Sequence, residues 1–261
     1  RDVLEAKIYF GEKLVASIGS EFIENNGEDR KRQEGMNAEE IKQDCETKAF
    51  FRLAERIKKR FPRLPILLLA DSLYASKQVM ELCREYKWEF LIRYKKGSIP
   101  SIAEEYEKIP EKGKTEKAEF VNEIDYEGKP VHVLKYREEK EGEITEFQWL
   151  CSIKISKENA EKMAEAGRKR WKIENEGFNR QKNWQGDITH ACSWNDQSQK
   201  NHYLMEQISD FMKQLYEYYY LKKNGIEKKQ KNISSDLLAS FGRQLTKEDI
   251  FPVDEYTQSC N

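Results

Sequence analysis

The sequence predicts a mixed α/β fold, a sheet flanked by helices, with a small antiparallel β insertion and a helical C-terminal segment. Three observations predict it. "PILLLAD" (residues 65–71) is an apolar run closing on an acid, the pattern of a central strand buried on both faces. A helical pattern and a second strand, "WEFLIRY", follow it, which implies a right-handed crossover and parallel pairing. Three further β-prone runs then come in succession, and helical periodicity fills most of the remainder.

In chain order, "VLEAKIYFGEKLVASIGSEFI" reads as a hairpin turning at Gly11, Glu12 and Lys13. The charged stretch from Glu24 to Met36 reads as a loop. Asn37 and Glu40 have the spacing of a capping box. They open a helix carrying Ile41, Cys45, Phe50, Leu53, Ile57 and Phe61 mostly on one face, and Pro62 stops it. The helix between the two strands carries Val79, Leu82, Cys83 and Tyr86. Within 114–151 lie "AEFVNEI", "KPVHVLKY" and "TEFQWLCSI", separated by Gly128 and Gly142. Helices are expected at about 156–183, 197–223 and 233–245, and the run "YEYYY" at 216–220 as part of a packed terminal helix. The domain reading is 1–100 for the first part of the core and 101–152 for a β-rich acidic insertion. Residues 153–195 then hold a core helix and 196–261 the C-terminal helices.

Composition excludes several classes. The longest apolar run is too short to span a membrane. The cysteines at 45, 83, 151, 192 and 260 lack paired spacing, so they read as reduced thiols of a cytoplasmic protein. His190 with Cys192 has the makings of a partial metal site but is read as structural. Net charge is −1, but residues 101–147 hold 14 acidic against 8 basic side chains, leaving +5 on the rest. An acidic segment thus masks a mildly basic body that a polyanion could meet. A chain that opens on Arg1 rather than Met is expected to be part of a longer one.

Two carboxylates carry the candidate chemistry. Asp71 ends an apolar strand, at the sheet edge where open α/β proteins place ligands, or else caps the following turn. Glu174 lies in a helix among Arg168, Lys169, Arg170, Lys172, Arg180 and Lys182. It is either a ligand on the floor of a DNA-binding groove or the partner of Arg170 in an i,i+4 salt bridge. At 100° per residue, Arg170, Glu174 and Gln181 share a face.

"LADSLYAS" followed far downstream by "RWKIENEGFN" resembles the DDE transposases of bacterial insertion sequences; "KQDCETKAFFRL" and "NHYLMEQIS" extend the likeness over nearly the whole chain. The strongest part is arginine, three residues, glutamate, met by Arg170 and Glu174. The resemblance implies a ribonuclease-H-like fold whose sheet carries two aspartates and whose helix carries a glutamate. Asp71 matches the second aspartate and Glu174 the glutamate, 103 positions on, which fits members with a β-rich insertion between them. The family's signature has tyrosine where this chain has Gly167, and lysine seven after the glutamate where it has Gln181, with Lys182 one place further. The first strand and its aspartate are expected upstream of Arg1, so that this chain alone holds two of three metal ligands and is inactive by itself.

The resemblance implies metal-dependent phosphodiester cleavage and strand transfer at transposon ends, with two Mg2+ or Mn2+ ions in the complete site. It implies double-stranded DNA as partner, both transposon ends and target, and self-association in a synaptic complex. Asp71 and Glu174 would hold metal, and Arg168, Arg170 and Lys182 phosphates. Lys95 and Lys96 would lie at the sheet edge of Asp71 to meet phosphate, or form a solvated loop. Tyr74 would touch DNA or close the turn. Trp171 and Trp149 would stack on an extruded base or pack in the core. The alternative reading is a truncated or domesticated, catalytically inactive DNA-binding or oligomerisation module.

Overall fold

In the computed structural model the described residues are 2–10, 14–23, 38–95, 97–140, 142–185, 188 and 193–241. The turn expected at Gly11, Glu12 and Lys13, the loop from Glu24 to Met36 and the cap at Asn37 lie outside them. So do Lys96, His190, Cys192 and Cys260. The chain divides into two compact units, Arg1–Ile8 with Val15–Asn179, and Tyr9–Leu14 with Arg180–Asn261.

The strands β1 (Asp2–Phe10) and β2 (Leu14–Ile23) form a two-stranded sheet. A six-stranded mixed sheet is built from β3 (Leu67–Ala70), β4 (Glu89–Arg93), β5 (Gly113–Lys114), β6 (Ala118–Tyr126), β7 (Lys129–Lys140) and β8 (Glu143–Cys151). Its order is β3-β4-β8-β7-β6-β5, with β3 and β4 parallel and every other pair antiparallel. The antiparallel strands expected over 114–151 are present, and because β8 pairs with β4 they extend the sheet of β3. Glu127 and Gly128 both have positive φ between the paired Tyr126 and Lys129, the two-residue turn that matches strand twist.

"PILLLAD" was expected at the centre of the sheet. Among the described residues β3 pairs only with β4, and Leu67, Leu68 and Leu69 are half-buried. Its apolar character comes from helices on both faces, which an apolar run records, whereas the number of neighbouring strands leaves no mark in the sequence.

Side chains alternate between two cores. On one face Ala70, Phe90, Ile92, Val133 and Leu150 pack with α1 (Ala38–Arg60), α2 (Lys77–Tyr86) and α3 (Pro100–Lys108). On the other Leu91, Leu134, Trp149 and Cys151, with Leu67 and Leu69 at the margin, pack against Ala160, Met163 and Ala164 of α4 (Ala160–Arg168). The helix α3 was absent from the sequence reading, although Pro100 at its first turn and Ile102 and Tyr106 at i,i+4 are its signals. The helix expected from 156 begins at Ala160, tightens to a 3₁₀ turn at Lys169–Trp171 and opens to a π turn at Ile173–Phe178.

The second unit holds a π turn at Gln181–Gln185, α5 (Asp196–Leu215), another π turn at Tyr216–Lys222 and α6 (Gln230–Phe241). Asn195 caps α5 by accepting from the Ser198 amide at 3.0 Å. The buried side chains of α5 are polar: Gln207, Asp210, Lys213 and Gln214. They are satisfied by a reciprocal Gln181–Gln207 amide pair (2.9 and 3.1 Å), by Gln214 donating to Asp210 (2.9 Å) and by Lys213 donating to Ser234 (2.6 Å). Leu204, Met205, Ile208 and Met212 are exposed instead. Tyr218, Tyr219 and Tyr220 are exposed as well, so the "YEYYY" run is not the packed helix expected. No helix among the described residues is long and apolar enough to cross a membrane.

One buried histidine ties the antiparallel strands together. A register shift in β6 puts Glu123 at positive φ, and its amide donates to Nδ1 of His132 at 3.1 Å. Burial holds the imidazole below its ordinary 6.5; Glu123 opposes that and Lys154 reinforces it. The unfolded chain therefore takes up the proton first, and stability falls as pH drops through 6.5 toward the folded value. Thermal melting from about pH 7 to about pH 5 should show His132→Gln flattening the acid loss of stability. An unchanged slope would contradict this role.

Candidate active site

Asp71 follows β3 directly and its carboxylate folds back onto the chain, Oδ1 accepting from the Leu73 amide at 2.9 Å. It thereby caps the single 3₁₀ turn Ser72–Tyr74. One oxygen is fixed this way, and the half-buried carboxylate retains capacity for a further ligand. Tyr74 turns inward from the same 3₁₀ turn. It is buried, its ring lies 5.0 Å from Phe50, and its hydroxyl donates to Glu46 at 2.8 Å. Burial, then Glu46, then Asp71 push this phenol well above the usual tyrosine range, so it stays a donor. Tyr74 thus stands under the influence of two carboxylates, Asp71 from the strand and Glu46 from α1.

On the opposite face, the seat of α4 is set by a glycine. A Cβ on Gly167 would lie 2.5 Å from the Trp149 indole, so the backbone rests directly on that ring. Trp149 is buried, in its core role, and stacks on Phe147 at 5.9 Å. Arg168 follows Gly167, lies 4.1 Å over the Phe147 ring and pairs with Glu138 at 3.1 Å. Arg93, from the end of β4, lies over Phe147 (4.7 Å) and Trp149 (5.4 Å).

The next turn carries the glutamate. The Lys169–Trp171 turn packs against β3, the strand that ends in Asp71. Glu174 follows within the π turn, half exposed, and pairs with Arg170 at 3.2 Å. π turns are rare and often mark functional positions. Because this stretch is not α-helical, a uniform 100° step does not describe its faces. Lys7 of β1 lies 5.8 Å over the Phe178 ring at the end of the same turn. A cavity of about 420 Å³ is lined by Glu138, Arg168, Lys169, Trp171 and Lys172, among others; Trp171 is exposed there rather than packed in a core.

Of the residues expected at the site, Arg168, Arg170, Trp171 and Glu174 stand on consecutive turns, and the strand ending in Asp71 packs against that run. Lys95 is exposed after β4, its carbonyl accepting from Ser98. Lys182 is exposed in the second unit, and Lys96 lies outside the described residues. Among the described residues no three His, Cys, Asp or Glu side chains gather as a metal cluster. Two neighbours escaped the sequence reading, Glu46 and Arg93. For Arg93 the signal was present: in "FLIR" it shares the parity of Leu91, which faces α4.

A family model described as "Transposase DDE domain" matches residues 43–205, a span holding the six-stranded sheet, Asp71 and Glu174. No curated protein matches the chain.

Substituting Gly167→Ala gains about 0.5–1 kcal/mol of helical preference, but the buried Trp149 cannot give way, and overpacking of this kind costs about 1–3 kcal/mol. A lower melting temperature is expected, with partial recovery when Trp149→Leu is added. A variant as stable as the parent would show that the indole does not set the position of α4.

Proposed function

The chain belongs to the transposase DDE domain family, and from that premise we propose that it cleaves transposon ends and joins them to target DNA in a metal-dependent reaction. The observation that carries this reading is one packing contact. The strand ending in Asp71 lies against the turn that leads into Glu174, so carboxylates 103 positions apart arise from neighbouring elements.

The donor set suits a hard divalent cation. Mg2+ prefers oxygen ligands, keeps several waters, and is commonly held by one or two carboxylates together with substrate phosphates. Asp71 and Glu174 would hold it, and bound there as a pair such ions would stabilise the attacking and leaving oxygens of an in-line displacement. The chain's own groups do the rest. The Leu73 amide fixes one Asp71 oxygen, so the carboxylate is oriented before substrate arrives. Arg170 holds Glu174, and Arg168 is held ready by Glu138 and Phe147. Each arginine is positioned to exchange its carboxylate for a backbone phosphate. Trp171 offers an exposed ring against which a base could stack, and Lys95 and Lys182 are exposed cations available to phosphate.

A third acid belongs to this reading, carried by a strand pairing on the free side of β3. The support is physical: one edge of β3 has no paired strand among the described residues, and an open edge of this kind is a template for a further strand.

The test uses the full-length protein with DNA carrying the ends of its own element. Asp71→Asn and Glu174→Gln should each lower Mn2+-dependent cleavage by about 10²-fold or more while leaving DNA binding in place. Joined products on a strand-transfer gel separate a transposase from a nuclease with the same site. Cleavage at parental rate by Glu174→Gln would overturn the assignment. Absence of cleavage by the parent would favour an inactive DNA-binding derivative.

A further inference from the structure

The 3₁₀ turn that follows Asp71 is weakly held by its own bonds. It is three residues long, Ser72–Tyr74, and its backbone hydrogen bonds, from Tyr74 to Asp71 and from Ala75 to Ser72, measure 3.2 and 3.3 Å. Such bonds have poorer geometry than those of an α-helix, so a turn this short takes its position from what it packs against. That packing enters at Tyr74, the buried side chain of the turn. The ring lies beside Phe50, and the hydroxyl donates to Glu46, one helical turn earlier on α1.

Glu46 is the part of this arrangement that filling the core does not require. Among the described residues the Tyr74 hydroxyl is its one hydrogen-bond partner, and no cation pairs with it. A phenylalanine at 74 would occupy the same place beside Phe50 and need no acceptor, and removing both partners of a buried bond together is often close to neutral. What the pair adds is direction. A hydrogen bond to an ionised carboxylate is roughly twice as strong as a neutral one, and this one ties the tip of the ring to α1. Leu73 stands next to Tyr74, and its amide holds Oδ1 of Asp71 at 2.9 Å. A chain of contacts therefore runs from Glu46 through Tyr74 and the Leu73 amide to the Asp71 carboxylate.

We propose that Glu46 is a positioning residue for Asp71. Through Tyr74 it fixes the turn whose Leu73 amide orients the carboxylate, and so strengthens the hold of Asp71 on a divalent cation. This rests on the transposase reading, in which Asp71 is a metal ligand. Partners outside the ligand layer commonly account for about 10–100-fold in metal affinity.

The experiment measures Mn2+ binding, from the paramagnetic resonance signal of the free ion, to the full-length protein on an end duplex that stops at the cleaved bond. Tyr74→Phe, which keeps the ring against Phe50, and Glu46→Ala should each weaken binding about 10-fold. The two together should be no weaker than either, since all three lose one contact. Glu46→Gln retains an acceptor for the hydroxyl and should bind as the parent does. In the metal-free protein the Leu73 amide should exchange its hydrogen faster in Tyr74→Phe and Glu46→Ala than in the parent. Parental Mn2+ affinity in those two variants would overturn the proposal, and a lowered melting temperature beside it would mark the bond as structural only. A loss in Glu46→Gln as large as in Glu46→Ala would overturn it as well. Asp71→Asn separates this failure from failure of the transposase reading: parental Mn2+ binding by that variant would contradict Asp71 as a ligand. Weakened binding in Asp71→Asn alone would keep the ligand and remove Glu46.

Discussion

The contact between the backbone at Gly167 and the Trp149 indole is the constraint on which the turns of the candidate site depend. A helix can rest on a flat ring at this distance only where no Cβ intervenes, and the ring cannot move because it is buried and stacked on Phe147. The depth and rotation of α4 on the sheet are set there. Arg168, Arg170, Trp171 and Glu174 leave the chain within the next two turns, so their directions are set by the same contact.

The strands divide the work by parity. Phe90 and Ile92 build the core beneath α1 to α3, while Leu91 and Arg93 face α4. The core on one side therefore needs nothing from the side chains that gather charge on the other. Positive charge on the α4 face is carried by guanidinium groups laid on aromatic rings, an arrangement that partly compensates their loss of water and leaves their donors directed. The Arg168–Glu138 and Arg170–Glu174 pairs are half-exposed, so each contributes at most about 1 kcal/mol to stability.

Much of this was legible in the sequence, and what was not has identifiable causes. The parallel pair β3 and β4, the antiparallel strands after it and the hairpin at the start follow from apolar patterning and from turn glycines such as Gly128. Asp71 was singled out because it ends an apolar run at the sheet edge, and of its two expected roles the structure shows the cap of the following turn. The place of β3 in the sheet was hidden, since an apolar run reports cover on both faces but not the count of paired edges. The π turn at Ile173–Phe178 was hidden too, because a shift from i+4 to i+5 bonding leaves no mark in residue types. For Tyr74 and Trp171 the sequence left two environments open: the hydroxyl of one found Glu46 in the core, and the other lies exposed on the face of a charged cavity. Such outcomes depend on elements far apart in the chain. Arg93 was within reach, its side of the sheet given by counting from Leu91, but a single cation at a strand end competes with many lysines that carry no role.

Whether Asp71 and Glu174 act on one metal is the point from which the remaining chemistry follows. The most direct measurement is to locate Mn2+ by its anomalous scattering in crystals of the protein bound to end DNA. A Mn2+ ion within about 2.5 Å of a carboxylate oxygen of both residues, with Arg170 turned from Glu174 to a phosphate, is the expected result. Mn2+ bound elsewhere, with Asp71 still only capping its turn and Glu174 still paired with Arg170, would contradict it and leave the two carboxylates with structural roles.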